Sequence, residues 1–84
     1  MLVKILPSNN VPQENFLNIM ADGAGRLVIK VLDVQGRMAK KLNTMINEGS
    51  QCLCIDTQDL PTGKYVLNAF CGDSFLKSLH FTKG

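Results

Sequence analysis

Apolar and polar residues alternate along most of this chain, and the alternation predicts short β-strands. The segment 26–33 stands out because it is β-branched and apolar on nearly both sides, which favours a central strand in a two-layer core. Residues 38–43 predict an edge strand that carries Lys40 and Lys41 outward, since lysines on an edge discourage pairing with other chains. The predicted strands are 2–6, 15–20, 26–33, 38–43, 51–56, 64–70 and 74–82.

The same alternation predicts which side chains share a face. Leu17 and Ile19 are placed together in the second strand. In the fifth strand, Leu53 and Ile55 fall on one face and Cys52 and Cys54 on the other. The last strand is expected to place its apolar residues on one face and its polar residues on the other; these are Phe75, Leu79 and Phe81 against Ser78, His80 and Thr82.

Turn signals separate these strands, at 7–10, 21–25, 33–37, 47–49, 57–63 and 71–73. Gly36 is expected to adopt a positive φ in a tight hairpin. Tyr65 opens a strand just after a corner, where its hydroxyl could bond back to the preceding backbone as in a tyrosine corner, or the ring could simply pack. Only 38–47 could also be interpreted as a helix, although no cap residue supports it clearly.

Strands that recur at roughly ten-residue spacing with turns between them are typical of a small sandwich. We therefore predict an all-β fold, a small immunoglobulin-like antiparallel β-sandwich of about seven strands. The chain contains no internal repeat, low-complexity tract or linker, so residues 1–84 are expected to form a single domain.

Composition narrows the function. The chain has 84 residues, 45% hydrophobic and 19% charged, with a net charge of +2, which is too weak a bias to imply nucleic acid or an acidic membrane surface. No apolar run approaches the length of a membrane span. A single histidine and scattered carboxylates offer no nucleophile–base pair, no metal site and no cofactor loop, so we predict a protein that is not an enzyme and binds no cofactor.

Three cysteines leave alternatives open, because an odd count cannot form a closed disulfide framework. Cys52 and Cys54 have one residue between them, unlike redox or zinc motifs. They can be small apolar side chains, or Cys71 can pair with Cys52 or Cys54 in an oxidising compartment. A metal site would need a fourth ligand, for which only His80 is at hand.

Three local patterns, in order along the chain, resemble one known family. Residues 31–37, read as VLDVQGR, look like its hairpin motif; residues 60–65, LPTGKY, resemble its "LPxGxY" corner; and residues 72–83 resemble its closing hairpin and basic terminal strand. The family is the C-terminal sorting domain of the type IX (Por) secretion system of Bacteroidetes, and the resemblance covers roughly residues 3 to 83. The family's opening Tyr-Pro-Asn-Pro is only partly matched, through Pro7 or Pro12.

The resemblance implies a sandwich domain that is a folded export signal and not a catalyst. Its expected partners are the outer-membrane secretion machinery and a sortase-like peptidase, which usually removes the domain after translocation. The expected location is the periplasm in transit, then the cell surface or the extracellular space. On this resemblance the chain is expected to be the tail of a larger secreted protein; the alternative is an accessory or adhesion module.

The resemblance also suggests partner-recognition residues, which are Asp33, Gly36, Arg37, Pro61, Gly63, Tyr65, Lys77 and Lys83. Most of them equally suit backbone geometry or packing. The expected recognition feature is therefore an assembled surface. The terminal strand, if its backbone is exposed, could also dock by edge addition.

Overall fold

The fold consists of β-strands throughout the described residues, which are 2–6 and 16–83 of a computed structural model. The strands are β1 (Val3–Leu6), β2 (Phe16–Ala21), β3 (Gly25–Asp33), β4 (Met38–Ile46), β5 (Gly49–Cys54), β6 (Gly63–Cys71) and β7 (Ser74–Lys83). The all-β prediction is confirmed, and the helical alternative for 38–47 is wrong because β4 occupies most of it. The predicted turn at 7–10, the partial match at Pro7 and Pro12, and Asn15 lie outside the described residues.

Two antiparallel sheets make up the sandwich. One has the strand order β1-β2-β5 and the other β4-β3-β6-β7. The fourth strand lies beside the third, whereas the constant-type immunoglobulin order would place it beside the fifth. The immunoglobulin-like part of the expectation therefore stays a prediction, while the two-sheet, seven-strand architecture is confirmed.

The core lies between the sheets and is built from every second residue of each strand. From the smaller sheet, Leu17 and Ile19 are buried together as predicted. From the larger sheet, β3 buries Leu27, Ile29 and Val31 completely, which fits its central place between β4 and β6. Burial of such aliphatic side chains, each contributing about 1.5–3 kcal/mol, is the main stabilising term in a domain this small.

The fifth strand follows its predicted faces. Leu53 packs against the core and Ile55 is buried, while Cys52 and Cys54 are exposed on the other face. Cys71 is half-buried at the end of β6, against the core. All three thiols are free in the structure.

The predicted face of the last strand needs one correction, at Phe75. The pairing runs from Phe70 opposite Phe75 to Ala69 opposite Lys77, so Leu76 is an extra residue in β7. This bulge reverses the alternation. Leu79 and Phe81 pack against the core as predicted, whereas Phe75 lies on the outer face and is 57% exposed.

The edge position of β4 is confirmed, but Lys40 does not point outward as predicted. Consecutive residues in a strand face opposite ways, so Lys40 and Lys41 cannot share a face. Ala39 is an extra residue in the pairing of β4 with β3, after which Lys40 lies opposite the buried Val31. The Lys40 side chain is only 15% exposed, and Lys41 alone faces solvent.

Candidate functional site

Most of the predicted recognition residues meet at one end of the four-stranded sheet. Asp33 lies opposite Tyr65, and Gly63 lies opposite Lys83, so the end of β3, the start of β6 and the end of β7 are neighbours. We call this region, residues 33–37, 57–65 and 81–83, the corner end. It contains Asp33, Gly36, Arg37, Pro61, Gly63, Tyr65 and Lys83.

The β3–β4 hairpin at the corner end is organised by the carboxylate of Asp33. One carboxylate oxygen, Oδ1, accepts hydrogen bonds from the backbone N–H groups of Gln35 and Arg37, both at 2.9 Å. The other, Oδ2, accepts from the Arg37 guanidinium at 3.1 Å. These contacts, led by the bond from the Arg37 backbone, lower the pKa of Asp33 below its ordinary value.

Gly36 completes the hairpin turn by donating its N–H to the Asp33 carbonyl at 3.0 Å. Its φ is 81°, in the left-handed region, as the sequence predicts. A Cβ built on Gly36 would meet no atom within 4 Å, so backbone conformation and not space selects glycine here. The hairpin therefore presents the charged pair Asp33–Arg37 on a fixed turn.

The corner between β5 and β6 is a tyrosine corner. The hydroxyl of Tyr65 donates a 2.6 Å hydrogen bond to the carbonyl of Pro61, four residues back. Tyr65 is only 6% exposed, and its ring stacks on Phe81 of β7 at 5.5 Å between centroids. The choice that the sequence left open is thus settled, since Tyr65 both packs and bonds to the backbone.

Lys83 closes the corner from the end of β7. Its ammonium group donates to the carbonyl of Thr57 at 2.5 Å and to that of Leu60 at 3.1 Å. The Thr57 carbonyl also accepts the backbone N–H of Leu60 at 3.0 Å, which forms the turn itself. The basic terminal residue thus stabilises the corner as an internal contact, and its side chain is half-buried.

An ion pair joins the edge strand β4 to this corner. The ammonium group of Lys40 lies 2.9 Å from the carboxylate of Asp59, and the bond lowers the pKa of Asp59. The carboxylate is mostly exposed, so the pair adds little stability by itself. Its effect is geometric, because it holds the corner against the strand that leaves the hairpin.

Lys77 is the one predicted recognition residue that the structure places elsewhere. It is half-buried opposite Ala69, next to the bulge and six residues before Lys83 on the same strand. Sequence reasoning also missed the contact of Phe81 with Tyr65 and the ion pair by which Lys40 holds Asp59. Bulges in β7 and β4 set the positions of Phe81 and Lys40, and these bulges leave no signal in composition.

The corner end presents charged side chains that a partner could contact, but its titratable groups form no catalytic arrangement. The two carboxyl groups with a lowered pKa, Asp33 and Asp59, are each bonded to a cation or to backbone and lie at the surface. His80 is exposed on the outer face of β7, as predicted. A groove at the opposite end of the sandwich is lined by residues such as Val3, Arg26 and Leu76, and its lining contains no carboxylate.

The described residues offer neither a metal-binding cluster nor a membrane-spanning helix. They contain no group of three or more His, Cys, Asp or Glu placed to hold a metal ion. No helix in this part of the chain is long and apolar enough to cross a membrane. The candidate site is the corner end, a compact surface of turns and paired charges.

This architecture, a small β-sandwich with its distinctive turns and its terminal basic residue gathered at one end, defines a recognition module. The family model described as the secretion system C-terminal sorting domain matches residues 9–77, and the chain belongs to this family. Neither the curated proteins nor the solved structures include a significant match.

Membership assigns the general role. The domain is a C-terminal sorting signal of the type IX secretion system, from a family of signals and not of enzymes. A protein that carries it is secreted to the cell surface or the extracellular space and interacts with the type IX machinery.

Proposed function

We propose that this domain is recognised as a folded surface while its cargo crosses the outer membrane, and that the corner end is part of that surface. The supporting observation is that the hairpin, the tyrosine corner and the end of β7 converge although they lie far apart in sequence. An unfolded chain would not bring these segments together. Recognition therefore depends on folding.

Within this surface the residues have different roles. Asp33 and Arg37 present charge on the hairpin, and Pro61 is exposed on the corner. Gly36, Gly63 and Tyr65 set the backbone and packing that hold those groups in place. Lys83 and, more remotely, Lys77 are recognised through β7, whose free edge could accept a strand of the machinery.

We further propose the order of events. Residues 1–84 act as one domain at the C-terminus of a larger secreted protein, pass with it through the periplasm, and bind the outer-membrane machinery. A sortase-like peptidase then removes the domain. The family match supports this export role and does not favour an accessory or adhesion module.

The test is an export assay. Residues 1–84 are fused behind a periplasm-directed fluorescent protein in a type IX-competent host, and the same fusion is placed in a strain that lacks the translocon. We expect fluorescence at the surface or in the medium only in the competent strain. Fluorescence that stays in the periplasm of both strains would contradict the proposal.

A charge-reversal variant in the same assay tests whether the hairpin of the corner end contributes to recognition. We expect Arg37→Glu to lower export because it places like charges beside Asp33 on the hairpin. Lys4→Glu is the matched control, an exposed lysine on β1 in the other sheet. Equal export of the two variants and the unchanged domain would remove the hairpin from the recognition surface.

A further inference from the structure

The outer face of the four-stranded sheet has an unusual charge pattern. Its cations are Arg26 and Lys30 of β3, Lys41 of β4 and Lys64 of β6. The four strands place no carboxylate on this face, because Asp33 lies opposite Tyr65, a core residue. Such an imbalance is local, since the whole chain has a net charge of only +2. The face therefore has a positive character that the overall composition conceals.

Cross-strand register arranges this face in rows. The middle row places Lys41 directly opposite Lys30, then continues through Asn68 to Ser78. Like charges directly opposite one another destabilise a sheet. In the described part of the chain neither lysine forms an ion pair with a carboxylate.

Apolar rows lie on both sides of the lysine pair. One row contains Val28, Phe70 and Phe75, in which the two rings meet edge to face at 5.6 Å. The ammonium group of Lys30 stands 5.1 Å from the centre of the Phe70 ring. The other row consists of Met38, Leu32 and Val66 and ends at His80.

We propose that this outer face, which we call the lysine face, docks an acidic protein surface of the secretion machinery, with a carboxylate seated between Lys30 and Lys41. The proposal rests on the export role proposed above and adds a partner chemistry to it. A carboxylate there would offset the like charges of two lysines that are paired directly across the strands. The flanking apolar rows would exclude water from it, as the surroundings of interface hot spots do.

The composition of the face favours a protein over a lipid surface. Aromatic, methionine and arginine residues are enriched in protein interfaces, and Phe75, Met38 and Met45 are exposed here at 57%, 52% and 64%. The other apolar side chains of the rows are half-buried. A membrane-surface element would instead project an apolar layer for insertion.

The decisive variant is Lys41→Glu in the export fusion. It places a carboxylate directly opposite Lys30, so the melting temperature should stay the same or rise. Export should nevertheless fall about tenfold, because the variant sets like charge against an acidic partner. A purely structural role for Lys41 could not produce a more stable domain that is exported less.

Two further variants serve as a control and as a second test. Lys4→Glu makes the same charge change at an exposed lysine of the other sheet and should leave export unchanged. Met45→Thr removes an apolar side chain that is 64% exposed on this face and keeps a residue that favours strands, so it should also lower export with little change in the melting temperature. Equal export of Lys41→Glu and the unchanged domain, or an equal loss in Lys4→Glu, would overturn the proposal.

The experiment distinguishes failure of the lysine face from failure of the export role, and a protein partner from a membrane. If the unchanged fusion is not exported, the export role and the lysine face fall together; if it is exported and Lys41→Glu is too, only the lysine face falls. The domain is also sedimented with phosphatidylglycerol vesicles, where we expect no binding. Sedimentation that Lys41→Glu abolishes would replace the acidic protein with an anionic membrane and overturn the proposal.

Discussion

Tyr65 and Phe81 stack across β6 and β7 with their ring planes 21° from parallel, and they join the terminal strand to the corner. Because the Tyr65 hydroxyl is bonded to the Pro61 carbonyl, the same side chain also fixes the backbone of that corner. The end of the chain and the corner are thereby held as one unit. Loss of either the stack or the hydrogen bond should therefore loosen both the corner and the terminal strand.

Tyr65→Phe tests the hydroxyl alone. It leaves the ring in place but removes the hydrogen bond to a half-enclosed carbonyl, which should lower the free energy of unfolding by about 1–2 kcal/mol. Urea unfolding measures this loss. Phe81→Leu is the matched variant that keeps the hydroxyl bond and loses the stack; an unchanged stability of Tyr65→Phe would mean that the bond to Pro61 contributes nothing.

The bulge at Leu76 decides which residue meets Tyr65. A regular hairpin continued from Cys71 opposite Ser74 would bring His80 against Tyr65, whereas the extra residue brings Phe81. We predict that deletion of Leu76 leaves the domain folded with the Tyr65–Phe81 pair intact. The cost should be about 1–3 kcal/mol for one half-buried leucine.

Deletion of Asn68 is the control for that experiment. Asn68 lies in β6, which is paired on both sides, so its loss reverses the faces of all the residues beyond it. This variant should show no cooperative unfolding transition by circular dichroism. If deletion of Leu76 unfolds the domain as completely, the register of β7 depends on the bulge itself.

The two bulges also mark the limit of what the sequence could predict. Alternation located every strand, the core positions of β2 and β5 and the central place of β3, because burial imposes that pattern directly. It failed at Phe75 and Lys40, since an extra residue in an edge strand reverses the faces and has no signature in single-residue preferences. The ion pair between Lys40 and Asp59 could therefore not be predicted from the sequence.

The corner end was only half predictable for a similar reason. Gly36 and Tyr65 could be interpreted locally, because a turn and a corner depend on neighbours in sequence. The contact of Lys83 with the Thr57 carbonyl joins residues 26 positions apart and depends on the final register of β7. Long-range placement of this kind follows from the packed sandwich and not from any local pattern.

Gly36→Ala tests the left-handed turn. An alanine at φ near 81° is strained, so stability should fall by about 1–2 kcal/mol although space is available. Gly36→Asn should cost less, because asparagine tolerates this region. Thermal unfolding compares the two; a loss with Gly36→Asn as large as that with Gly36→Ala would contradict the left-handed conformation as the source of the loss.

Lys83→Met tests the contact between the terminal strand and the corner. It removes an ammonium group that donates to two carbonyls, so we expect a loss of about 1 kcal/mol in urea unfolding, reduced by partial exposure. Lys77→Met makes the same change on the same strand, away from the corner, and should cost less than about 0.5 kcal/mol. Equal losses would argue against a special role for Lys83 in holding the corner.

Asp33 should make stability depend on pH in the acid range. Its pKa in the folded domain lies below the ordinary value of 3.8, mainly because the Arg37 backbone N–H bonds to the carboxylate. The unfolded chain therefore binds the proton first as the pH falls, so the contribution of Asp33 is complete above about pH 4–5 and is lost as the pH drops through the folded pKa. Melting temperatures measured from pH 6 to pH 2 should show this decline.

Asp33→Asn should be less stable than the unchanged domain near neutral pH and should lose less stability in acid, because asparagine does not titrate. Asp59→Asn is the companion variant, since the pKa of Asp59 is also lowered, chiefly by the bond from Lys40. Its effect should be smaller because its carboxylate is mostly exposed to solvent. Parallel pH profiles for Asp33→Asn and the unchanged domain would show that the hairpin carboxylate does not govern acid stability.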